Sequence, residues 1–299
     1  MSLLELLPAL VGYIMCGLAI IHALLDAREN RVQRLLMLIT LFAFGFLLEY
    51  MGVITGNYEY ASEPVMIFGI IPLSVTFAWV GIIYSAMIIG ECLKLPLWQR
   101  ILTTTLIALS LDWGMDPIAV ELGAWTWTYP DGDYFGVPGF NFIGWFFIPI
   151  AYLIPYGLSR NKETKKFQLL TISEIDENNS LGRKLYTCLV VLPIGMGVLF
   201  VVGTICGIFI FIYDLHWIIL LIWMLFTVVF ASGMIVRKRE NLKHTQWFDL
   251  IPPTILLFIA YFYVIFSLAF GLFHLSLLML FTTIPLLLAF VFTLLKNRD

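Results

Sequence analysis

The chain has 299 residues, of which 61% are hydrophobic and only 12% charged, and its net charge is −3. Globular domains average about 45–50% apolar and about 25% charged residues, so this composition points into a bilayer, and the spacing of the apolar runs argues for one membrane domain without a soluble module. No run of basic residues interleaved with aromatics could track a phosphate backbone, which excludes nucleic acid as a partner.

About 20 apolar residues cross the hydrocarbon core as a helix. In chain order such runs cover 4–25, 33–54, 65–91, 99–122, 139–159, 185–212, 215–236, 250–271 and 274–295. The first begins without a basic segment or a small-residue cleavage site, so it is expected to be a span and not a removable signal. The divisions at Asp214–Leu215 and Gly271–His274 leave very few residues for a turn.

The charges test the count. Arg28, Arg31 and Arg34 follow the first run, and Lys94 and Arg100 join the third to the fourth. Arg160, Lys162, Lys165, Lys166, Arg183 and Lys184 join the fifth to the sixth. Arg237, Lys238, Arg239 and Lys243 join the seventh to the eighth, and Lys296 and Arg298 end the chain. These are all 17 Lys and Arg residues, and the alternate loops hold none. Basic loops mark the cytoplasmic side. The pattern predicts an all-α, polytopic transmembrane helical bundle of about nine spans in the cell membrane, N-terminus out and C-terminus in. Seven or eight spans remain open where a pair is re-entrant or divided differently. The polar stretch 160–184 reads as a cytoplasmic linker between a five-span part, 1–159, and a four-span part, 185–299, of one membrane domain.

Acidic residues inside a span are costly and usually face the bundle interior, a partner or water. The fourth run holds Asp112 and Asp116, four apart on one helix face and about 6 Å apart along the axis. Pro117 follows and removes a backbone hydrogen bond. Glu49 lies near the outer end of the second run, at a depth similar to that of Asp116. Desolvation there disfavours the charged form, and a neutral carboxylic acid can donate a proton. The alternative is that these groups cap or cross-link helices. The outer loops alternate aromatics, Tyr58/Tyr60 and Trp125/Trp127, as short extended segments do. Pro130-Asp131-Gly132 is a turn signal. Such aromatics suit an interfacial belt or the mouth of a lipidic pocket, where ring faces stabilise cations. Asn141, just inside the fifth run, is a candidate polar orienter or a helix-end hydrogen bond.

Other chemistries lack their residues. The four histidines (His22, His216, His244 and His274) form no HxxxH or HxxH pair, so a di-iron oxygenase is not expected. His216 beside Asp214 reads as a helix-end contact. Cys16, Cys92, Cys188 and Cys206 form no CxxC pair and suit apolar packing. No GxGxxG, GxSxG or P-loop occurs. No metal and no cofactor is therefore expected.

Glu49-x-x-Gly52, Gly56-x-Tyr58-x-Tyr60, Asp112-x-x-x-Asp116-Pro117, Gly123-x-Trp125-x-Trp127, Tyr134-x-Gly136-Val137-Pro138 and Asn141-Phe142-x-Gly144-Trp145 resemble the carotenoid-biosynthesis integral membrane family, which includes the bisanhydrobacterioruberin and γ-carotene hydratases. The resemblance covers about 45–145; the second half matches only as membrane helices. It implies cofactor-free addition of water across a terminal isoprenoid double bond of a carotenoid held in the lipid bilayer, giving a tertiary alcohol. Asp116 or Asp112 would be the acid and Glu49 the water-positioning or cation-stabilising partner. Tyr58, Tyr60, Trp125, Trp127, Tyr134, Asn141 and Trp145 would bind substrate. Three other readings stay open: a cofactor-free isoprenoid cyclase or isomerase, a lipid or small-molecule transporter with a carboxyl proton relay, and a structural partner of other carotenoid-biosynthesis enzymes. The two halves show no clear repeat, which weighs against a transporter.

Overall fold

The computed structural model describes residues 3–26, 31–128, 134–160, 190–201, 203–204, 217–243 and 245–295. The turn at 130–132, the linker from 161 to 184, Cys188, Cys206, Asp214, His216, the division at Asp214–Leu215, and His244 lie outside the described residues.

The protein is an all-α helical bundle. Its helices are α1 (Leu3–Leu25), α2 (Arg31–Ile54), α3 (Leu73–Cys92), α4 (Leu97–Glu121), α5 (Gly139–Arg160), α6 (Val190–Val201), α7 (Trp217–Arg237), α8 (Arg239–Lys243), α9 (Ile251–Ala269), α10 (Phe273–Thr282) and α11 (Ile284–Leu294). Among the described residues five helices are long and apolar enough to cross a membrane, and α10 with α11, bent by 50°, make a sixth if taken together. Apolar side chains such as Ile39, Ile222, Val229 and Ile265 face outward, as a hydrocarbon solvent favours.

The helix α4 is not among those five, and its place explains why. Every residue from 103 to 119 is buried, beneath α3, α5, α7, α9 and α10. A central helix has no lipid-facing side, so it carries Thr103, Thr104, Thr105, Ser110, Asp112 and Asp116. At Gly114, between the two aspartates, α10 comes so close that a Cβ would lie 2.7 Å from the Met279 Cα.

The helices α1 and α3 are packed still more tightly. A Cβ on Gly12 would meet the Ser74 carbonyl oxygen at 2.1 Å, and backbone cannot step aside as a side-chain tip can. Gly12→Ala is expected to destabilise the protein by about 1–3 kcal/mol, read as a lowered melting temperature in detergent.

The third apolar run divides differently from the prediction. Residues 65–72 are not helical. Strands β2 (Met66–Ile67) and β3 (Ile71–Pro72) form a hairpin, turned by Phe68 at φ 51° and Gly69 at φ 75°. Helix α3 starts only after Pro72, whose missing N–H is one a helix start does not need. The two aromatic alternations do form extended segments, and they pair. Strand β1 (Tyr58–Tyr60) runs antiparallel to β4 (Trp125–Trp127), with Tyr58 opposite Trp127 and Tyr60 opposite Trp125.

The predicted turn at Gly271–His274 is present, with Gly271 at φ 77°. Among the described residues, the end of α1, the start of α2, the end of α3 and α8 meet at one end of the bundle. Arg34 bonds Glu91 at 2.7 Å, and the Asn241 amide donates to the Leu93 carbonyl at 2.7 Å. Glu49 is fifteen residues further along α2 than Arg34, so the β1–β4 end lies about 22 Å away.

Candidate active site

The carboxyls predicted for the site are placed by two local devices. Glu49 is 4% exposed in the penultimate turn of α2. Its Oε2 accepts from the Tyr58 hydroxyl at 2.7 Å and from the Tyr60 hydroxyl, and its Oε1 accepts from the Trp79 indole N–H at 2.5 Å. Gly52 makes this possible, because a Cβ there would overlap the Tyr58 hydroxyl at 2.2 Å. The pleat of β1 sends both tyrosines to the same side, since residues i and i+2 share a face. Burial first, and then the Glu49 charge, push both phenols well above their ordinary range, so they remain protonated donors. Three donors on one carboxyl suit its acceptor-only anion.

Asp112 and Asp116 share a partner. The Asn141 Nδ2 group donates to Asp112 Oδ2 at 3.0 Å and to Asp116 Oδ2 at 2.7 Å. The four-residue spacing stacks the two carboxyls on one face of α4, and Asn141 in the first turn of α5 reaches both. Trp125 also stands within donor reach of Asp116. Among the described residues, the Oδ1 atom of Asp112 is buried without a hydrogen-bond partner.

A half-enclosed cavity of about 1340 Å³ lies against these groups. Glu49, Asp116, Tyr58, Tyr60, Trp125, Trp127, Asn141 and Trp145 line it. Its apolar wall includes Val11, Leu48, Val75 and Ile82. Among the described residues no Lys, Arg or His lines it. Aromatic rings close one side: Tyr58 meets Trp127 edge-on at 4.9 Å, and Trp145 stacks on Trp79 at 4.3 Å.

Two predicted residues fall elsewhere. Asp112 does not line the cavity; it sits behind Asn141 and Asp116 because the helix axis carries it a turn deeper into the bundle. Tyr134 lies outside the cavity too. It packs edge-on to Trp113 at 5.2 Å, and its hydroxyl reaches the Met224 sulfur at 3.2 Å, because the Tyr134–Val137 bridge turns it toward α7.

Other cavity residues escaped sequence reasoning. Trp79, in the interior of α3, gave no signal beyond one aromatic in an apolar run. Tyr263 of α9 came from a half with no motif. Glu63 lines the cavity and accepts from the Ser74 hydroxyl at 2.5 Å. Burial pushes the Glu63 carboxyl up, and the Ser74 bond opposes this. Among the described residues no cluster of three His, Cys, Asp or Glu could hold a metal ion.

An apolar helical bundle with a carboxyl-lined, aromatic-walled cavity is the architecture of a membrane protein. The family model for carotenoid biosynthesis proteins matches residues 9–212, and the chain belongs to that family. No curated protein and no solved structure matches it.

Proposed function

We propose that this protein is a carotenoid hydratase, a cofactor-free hydro-lyase that adds water to a terminal isoprenoid double bond. The observation that carries this reading is the cavity, which joins three carboxyl groups (Glu49, Glu63 and Asp116) and an aromatic wall with no cationic side chain among its described lining residues. Such a place favours a positive charge that forms in it, through carboxylate and ring faces alike.

The neutral Asp116 carboxyl, which touches the cavity where Asp112 does not, protonates the terminal alkene carbon. A C–H bond forms, the π bond breaks, and a tertiary carbocation remains beside the Glu49 carboxylate. Water attacks the cation, a C–O bond forms, and the surplus proton of the oxonium returns to Asp116. Alkene and water become a tertiary alcohol with nothing left over. Tyr58, Tyr60 and Trp79 hold Glu49 as the anion, and Asn141 fixes the orientation of Asp116.

The bundle crosses the cell membrane about nine times, with the basic connections on the cytoplasmic side and the cavity toward the outside. A half-enclosed cavity between helices suits a substrate whose solvent is the bilayer.

The test is expression in a bacterial host that makes an acyclic or monocyclic carotenoid, with mass spectrometry of the pigments. A product heavier by one water, lost in Asp116→Asn and reduced in Glu49→Gln, is the expected result. A product of unchanged mass from the wild type would replace the hydratase with a cyclase or isomerase.

A further inference from the structure

The cavity has a second polar region that this chemistry has not used. Glu63, in the segment between β1 and β2, is half-buried with exposed neighbours on both sides, Ser62 and Pro64. It therefore faces both the outer surface and the cavity. Ser74, in the first turn of α3, is 3% exposed and donates to it at 2.5 Å. Tyr263 lines the same cavity from α9, which packs against both α3 and α4. Asp116 and Glu63 line that cavity with it. The Tyr263 hydroxyl has no hydrogen-bond partner among the described residues, and it lies beyond the stretch matched by the family model.

A hydroxyl in an apolar wall is costly to leave unbonded. The cavity can relieve it, since water needs only about 30 Å³ of space and two to four polar partners. Tyr263, Glu63 and Ser74 supply such partners, and all three line the cavity that Asp116 lines. An alkene hydration needs its water placed beside the cation and nowhere else, because a misplaced base removes a proton and restores an alkene.

We propose that Tyr263, together with the Glu63–Ser74 pair, forms the water subsite of this cavity, drawing water from the outer surface and holding it for attack on the carbocation. This rests on the hydratase reading. Tyr263 donates its O–H to the water or accepts from it, and leaves one water lone pair aimed at the cation. When the C–O bond forms, the oxonium proton passes to the Asp116 carboxylate, and Tyr263 ends as it began. Without the subsite the cation still forms, and it decays by losing a proton from carbon.

Those two fates are separable in heavy water. Membranes containing the protein and a carotenoid substrate are suspended in D₂O, and both the alcohol and the deuterium in recovered alkene are measured. In the wild type, alcohol dominates. In Tyr263→Phe the ratio of alcohol to deuterated alkene is expected to fall about tenfold, the worth of one hydrogen bond to the attacking water. Glu63→Gln, which keeps an acceptor for Ser74, is expected to shift the ratio in the same direction by less. An unchanged ratio in both variants overturns the water subsite while the hydratase stands. Loss of alcohol and deuterium together in both variants also overturns it, since that marks a role in packing or protonation. If the wild type yields neither product, the hydratase reading itself has failed.

Discussion

Asp116→Asn is expected to lower hydration by about 10²–10⁴-fold, the usual contribution of a positioned general acid, without unfolding the protein. The substitution is nearly isosteric. The asparagine carbonyl oxygen still accepts the bond that Asn141 Nδ2 gives to Asp116 Oδ2 at 2.7 Å, so packing around α4 is kept. What disappears is the transferable proton. Asp112→Asn separates the roles of the two aspartates. Asp112 takes its own bond from Asn141 at 3.0 Å but does not line the cavity. It acts only through Asn141, so the expected loss is about tenfold or less, the worth of a single hydrogen bond. The measurement is alcohol formed per folded protein, with the folded fraction taken from size-exclusion chromatography in detergent. Equal and complete loss in both variants would make the pair a single proton-sharing unit. Full activity in Asp116→Asn would remove it from the acid role.

Much of the site was legible because its residues break local expectations. Asp112 and Asp116 are costly inside an apolar run, and their spacing places them on one face whatever the tertiary packing. The alternations at 58–60 and 125–127 foretold extended segments, since period two is a property of the backbone. What could not be read was pairing across the chain. Nothing in the order of residues says that Trp79 bonds Glu49, because an indole in a helix reads the same whether it faces lipid or a carboxylate. Tyr263 was hidden for the same reason. The third run misled at its start because apolar composition does not distinguish a hairpin from a helix. Asp112 was grouped with the cavity because a shared helix face does not tell which turn the cavity reaches.

Arg34→Met is expected to destabilise the protein by about 3–5 kcal/mol, the penalty of removing one partner from a buried ion pair, while leaving hydration per folded molecule unchanged. Arg34 is 2% exposed. Its Nε and Nη2 donate to Asp26 Oδ2 at 3.1 and 2.9 Å, and Nη2 also donates to Glu91 Oε2 at 2.7 Å. One guanidinium thus joins the end of α1, the start of α2 and the end of α3. Methionine matches the stem and offers no donor, so the buried Asp26 and the partly buried Glu91 lose their shared cation. Neutralising them should restore most of the loss. In Arg34→Met/Asp26→Asn/Glu91→Gln no charge is left stranded, and a coupling of this kind is what a mutant cycle isolates. Melting temperature in detergent reads it directly, and a triple variant no more stable than Arg34→Met would show that hydrogen-bond geometry, not charge, holds these helix ends. Because Arg34 and Glu49 lie about 22 Å apart along α2, any change in the alcohol formed per folded molecule would reveal that the two ends of the bundle communicate.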